Sequence, residues 1–149
     1  DYENAFRMDS VTESISRLED SEEKQRLQNI LMYYEYPYII SLSSYNQLLD
    51  AAGLPQLSLE KGQAGIYMDS GFAYEGERKI MDGILKTEPE AELDGSVYRL
   101  AGEVQSVNLV TDSSITLSFA LILPDEDFEY YTQGNYTVYL DGILEKGKA

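Results

Sequence analysis

Residues 39–68, IISLSSYNQLLDAAGLPQLSLEKGQAGIYM, decide how this chain is read. Pro37 and the β-rich run 38–42 open a strand, where the missing proline N–H does little harm. Ser43 is expected to cap a short helix over 44–52, with Gly53 at C′ and Pro55 beyond it. Tyr45, Leu48, Leu49 and Ala52 fall on one side of that helix. The apolar run 64–68 is the next strand, and Asp69-Ser70-Gly71 a turn.

Upstream, residues 10–34 carry a helical period. Ser10 with Glu13 has capping-box spacing, and Asp20 with Glu23 offers a second start. Val11, Ile15 and Leu18 share one face; Leu27, Ile30, Leu31 and Tyr34 share another. At about 100° per residue the two faces do not line up on one rod. A break near Asp20-Ser21 resolves the conflict. Downstream, 77–86 reads as a helix with Ile80, Met81, Ile84 and Leu85 inward, weakened by Gly83. Residues 96–104 alternate as a strand through Val97, Leu100 and Val104. Residues 114–123 alternate more strongly, through Ile115, Leu117, Phe119, Leu121 and Leu123. Pro124 stops that run, 125–131 is a short acidic helix, and 135–144 is a last strand. These elements predict an α+β fold, a mixed and largely antiparallel sheet with packed helices. Residues 1–36 are expected to be a helical arm or stalk, and 37–149 the core.

The 149 residues include 27 acidic and 11 basic side chains, a net charge of −16. Such a field repels phosphate backbones, so nucleic acid is excluded as a partner. The acidity keeps a surface soluble; it also favours cationic partners. The chain has no Cys and no His, which removes disulfides, thiolate metal sites and Ser-His or Cys-His nucleophiles. No Gly-x-Ser-x-Gly elbow or phosphate loop occurs. No catalytic residue, metal or cofactor is therefore expected. No run of about 18 apolar residues is present, and the chain starts without Met. Both ends are read as lying inside a longer chain.

Three segments carry a resemblance. Ile40-Ser41-Leu42-Ser43-Ser44-Tyr45-Asn46-Gln47-Leu48-Leu49, followed by Gly53, is one. The Leu-rich turn and strand over 57–68 is the second. Leu121-Ile122-Leu123-Pro124-Asp125-Glu126-Asp127-Phe128 is the third. Together they resemble the extracytoplasmic domain of FtsX-like ABC-transporter permeases, particularly the Firmicute peptide-detoxifying and peptide-sensing type. The resemblance implies a ligand- or partner-binding domain on the outer face of a Gram-positive membrane. Flanking transmembrane helices would couple it to a cytoplasmic ATPase subunit. It implies a cationic peptide, a lipid-linked precursor or an envelope protein as partner. The alternative is an envelope interaction module that moves no solute, acting for example on a cell-wall hydrolase or sensor kinase.

Two acidic groupings and one aromatic grouping invite a site. Asp125, Asp127 and Glu129 suit either a cation or a positive helix N-terminus. Glu88, Glu90, Glu92 and Asp94 alternate in a stretch that reads as solvated; a glycosidase-like pair is the remote alternative. The chain holds 13 Tyr, and Tyr33, Tyr34, Tyr36 and Tyr38 cluster before the first strand. Tyrosine joins apolar area to a polar tip and attracts cations, so these four are the candidate ligand-binding residues. As half-buried strand formers they would serve the fold instead.

Overall fold

The computed structural model describes residues 6–32, 34, 37–69, 75–104, 109–110, 116–131, 136–138 and 143–146. The first strands and helices are β1 (Phe6–Arg7), α1 (Asp9–Ser16), α2 (Glu22–Leu31), β2 (Tyr38–Ser41), α3 (Leu42–Ala51) and β3 (Gln63–Met68). Then come α4 (Glu75–Leu85), β4 (Glu90–Leu93), β5 (Ser96–Val104), β6 (Leu109–Val110), β7 (Thr116–Leu117) and β8 (Phe119–Leu123). The chain continues into α5 (Asp125–Tyr131), β9 (Tyr136–Val138) and β10 (Ile143–Lys146). The fold is α+β.

Among the described residues, eight strands form one sheet in the order β1-β4-β5-β3-β8-β2-β10-β9, and β6 and β7 pair separately. Two of the seven ladders in that sheet are parallel, β2 with β8 and β3 with β5. The other five are antiparallel, so the sheet is mixed and largely antiparallel. The central strands β3 and β8 are buried at every position. Such strands read as continuous apolar runs because both faces are covered.

Alternate side chains go to two cores. Ala64, Ile66, Met68, Phe119, Leu121 and Leu123 meet α1, α2, α4 and α5 on one face. Tyr67, Ala120, Ile122 and Ile40 meet α3 and the β6–β7 ribbon on the other. The N-terminal helices are therefore not an arm. Val11, Ile15 and Leu27 are at most 1% exposed and lie in the same cluster as Met81, Leu85 and Leu93. The break falls where the rotated faces required it, with Leu18 and Asp20 between α1 and α2. It turns both apolar stripes onto one core, and burying them outweighs projecting two short helices into water.

Several local expectations are corrected. Ser21, not Asp20, caps α2 by accepting from the Lys24 N–H at 3.1 Å. Met8 stands at the α1 N-cap without a side-chain cap bond, so Ser10 does not cap. Ser41 caps α3, accepting from the Ser44 N–H at 3.2 Å, because the strand hands over to the helix two residues before Ser43. The end of α3 is as expected. Gly53 (φ 73°) donates to Asp50 O at 3.0 Å, and Leu54 to Leu49 O at 2.8 Å, the paired closure that a left-handed C′ residue allows. Tyr45 and Leu49 of α3 are buried, Leu48 is half-buried and Ala52 exposed.

On β5 the inward set is Tyr98, Leu100 and Val104, while Val97 is 51% exposed. Val97 lies on the opposite parity, paired with the exposed Glu92 of β4. The expected single strand over 114–123 breaks at Ser118. Leu117 accordingly joins the α3-side core, while Phe119 starts the other set. The last expected strand is two strands, β9 and β10, paired antiparallel with Leu144 opposite Val138. Ser70, Gly71 and Ile115 lie outside the described residues.

Candidate functional site

The tyrosine cluster is split by the fold. Tyr34 is 9% exposed. Its hydroxyl donates to Asp69 Oδ1 at 2.7 Å, and its ring meets Phe119 edge-on with centroids 5.0 Å apart. Burial, then the Asp69 carboxylate, pushes its phenol above the ordinary range. The side chain thus serves the core and fastens the 69 corner. Tyr38 is half-buried and packs on the α3-side core. Tyr33 and Tyr36 lie outside the described residues.

One member of each acidic grouping serves the fold. Asp125 accepts from the Ser43 N–H at 3.1 Å and from the Ser43 hydroxyl. It places a carboxylate at the N-terminus of α3, where unpaired N–H groups favour negative charge. Helices on opposite faces of the sheet are thereby joined where the parallel strands β2 and β8 end. Glu88 accepts from Gln63 Nε2 at 2.8 Å and from Arg99 at 3.1 Å. Glu90 and Glu92 face solvent. Among the described residues, no group of three or more acidic side chains is arranged to hold a metal ion.

A buried charge pair was not legible in the sequence. Glu77, with no exposed surface, accepts from Arg26 Nε at 2.8 Å. That hydrogen bond raises the guanidinium above its ordinary value. Glu77 Oε1 has no hydrogen-bond partner among the described residues. The pair ties α2 to α4 across 51 residues of sequence. It further binds the N-terminal helices to the core.

The candidate site is a cleft beside α3. It measures ≈ 320 Å³ and is lined by Tyr45, Leu49, Leu54, Pro55, Gln56 and Leu57, with Ile66 and Gly102 of the sheet. That volume is at the small end of the about 300–1,000 Å³ typical of ligand sites. Its walls have separate origins. Tyr45 and Leu49 project from α3 at i, i+4, and Tyr45 is held edge-on to Tyr67 at 6.1 Å between centroids. The Tyr67 hydroxyl accepts from the Leu109 N–H at 3.1 Å, with burial raising its phenol. It is a buried anchor beneath the wall. Leu54 and Leu57 come from the segment after α3. Gly102 leaves the strand backbone bare, since a Cβ there would overlap the Ile66 carbonyl oxygen. Chemically the cleft offers apolar contact, with one amide side chain, Gln56. It displays no nucleophile beside a base.

No family model, curated protein or solved structure matches the chain.

Proposed function

We propose that this is an extracytoplasmic binding domain of an FtsX-like ABC-transporter permease, which takes the apolar portion of a cationic ligand into the cleft beside α3. Flanking transmembrane helices would couple it to a cytoplasmic ATPase. The cleft carries this reading: an apolar recess with an aromatic wall on a domain of net charge −16. A field of that sign raises the local concentration of cations, and apolar walls hold them once they arrive. The acidic side chains Asp50 and Glu60 are exposed next to the segments that line the cleft. The resemblance over 40–128 supports the transporter setting, and among the partners it implies the net charge of −16 favours a cationic amphipathic peptide.

The test is a titration with two versions of one amphipathic peptide, lysine-bearing and charge-neutral, followed by methyl NMR of Leu49, Leu54 and Leu57. The lysine version is expected to bind more tightly, to shift these methyls first and to associate more slowly as salt rises past about 0.1 M. Shifts that leave the cleft methyls untouched would overturn the site. Equal affinity for both versions would favour the protein-partner reading, an envelope module that moves no solute.

A further inference from the structure

Residues 55–59 make no main-chain to main-chain hydrogen bond among the described residues, and they belong to no helix or strand. They nevertheless lie against the fold. Leu54, Leu57 and Leu59 pack on the α3-side core, while Pro55, Gln56 and Ser58 are exposed. One side chain fastens the middle. Asn46 of α3 accepts from the Leu57 N–H at 2.7 Å and donates to the Leu57 carbonyl at 3.0 Å. Its carboxamide thus pairs with Leu57 as a neighbouring strand would. The Leu57 side chain rests on the bare backbone of Gly65, where a Cβ would stand 2.6 Å from Leu57 Cδ2. Each end is tied by a bond of its own. Leu54 donates to Leu49 O at 2.8 Å, and Glu60 donates to Gln63 Oε1 at 2.7 Å.

We infer that residues 54–59 are a strap over the cleft, that Asn46 is its latch, and that release of the latch admits the ligand. The inference rests on reading the cleft as the ligand site. Leu54, Pro55, Gln56 and Leu57 form one wall of the cleft, so lifting the strap widens it without moving the sheet. Gly53 and Gly62 bracket the strap. Both have positive φ and open space where a side chain would stand, so no side chain crowds the two ends at which the strap would pivot. Asn46 is a positioning residue in this scheme, because it sets the wall rather than lining the cleft.

The experiment pairs amide hydrogen exchange with stopped-flow binding of a neutral probe, N-phenyl-1-naphthylamine, to wild type, Asn46→Ala and Asn46→Asp. Loss of both Asn46 bonds is expected to speed Leu57 N–H exchange roughly tenfold or more. Exchange at Ile66 and Leu121 should stay unchanged. Probe association should quicken by a similar factor, since the open fraction sets the apparent rate. Asn46→Asp keeps the acceptor for the Leu57 N–H and should give a smaller rise in both; it decides the matter if the alanine variant does not fold. Unchanged Leu57 exchange would overturn the latch. Faster exchange with wild-type probe kinetics would overturn the strap alone. Faster exchange with no probe bound to any variant would overturn the strap and the ligand cleft together. Probe binding to the variant but not to wild type would support a strap closed at rest.

Discussion

Gly102→Ala is the most exacting test of the sheet described above. Gly102 is exposed, and an exposed strand position ordinarily tolerates alanine. Here it should not. The residue sits at φ 143° on β5, opposite Ile66 of β3. A Cβ would overlap the Ile66 carbonyl oxygen and lie 3.1 Å from the Ile66 nitrogen. Those are backbone atoms and cannot rotate away as a side chain would. The φ strain costs about 1–3 kcal/mol and the forced separation about 1–3 more. The sum, about 2–6 kcal/mol, is a large share of the roughly 5–15 kcal/mol that holds a domain together. With a urea slope of about 2–3 kcal/mol per molar, the midpoint should fall by about 0.7–3 M. Gly83→Ala is the matched control. It lies on the exposed side of α4 with open space around it, so alanine should raise stability by about 0.5–1 kcal/mol. A Gly102→Ala midpoint equal to that of wild type would refute the β3–β5 register.

Tyr45→Ala should cost about 3–5 kcal/mol in urea unfolding, because its ring is 3% exposed; Leu48→Ala, at a half-buried position, should cost distinctly less. Tyr34→Phe removes the bond to Asp69 and should cost about 1.5–3 kcal/mol, read from the same midpoints. Burial raises the phenols of Tyr34, Tyr67 and Tyr98 above 10.0. The folded state therefore holds protons that the unfolded chain has already released. Stability is fully present below pH 10 and should fall above it, by up to about 1.4 kcal/mol per pH unit for each phenol; a thermal melt that is flat from pH 9 to 11.5 would contradict this. EDTA should leave the melting temperature unchanged, and a fall of several degrees would show a structural metal.

Strong periods and hard stops were legible in the sequence. The β5 and α5 bounds were readable because alternation, Pro124 and an acidic first turn all agree. The break at Asp20-Ser21 followed from two apolar stripes that no single rod can bury. What the stripes did not show was their common destination, since a helical period marks an apolar face and not the core that it meets. Parity errors came from small irregularities. Ser118 interrupts the ladder and sends Leu117 and Phe119 to opposite faces. Asp141-Gly142, a dipeptide that favours chain reversal, is the sequence sign that 135–144 divides between two strands. The wall of the site and the ties between helices depend on pairs distant in sequence. Asn46 with Leu57, Arg26 with Glu77 and Ser43 with Asp125 have no local signature, because side-chain complementarity across a fold leaves no period.

The strand order has a mechanical consequence. Phe6 belongs to one edge of the sheet and Lys146 to the second strand from the other, six inter-strand steps or about 29 Å away along the sheet. Tension applied between these residues pulls across the strands, along the direction in which antiparallel hydrogen bonds point. Bonds loaded that way break strand by strand, as a zipper opens. β1, with two residues paired to β4, should detach first. β1 would come away at low force, while the helices that follow it stay buried and the pair β3 and β8 still holds. A pull between these residues would therefore show at β1 well before the sheet as a whole opens.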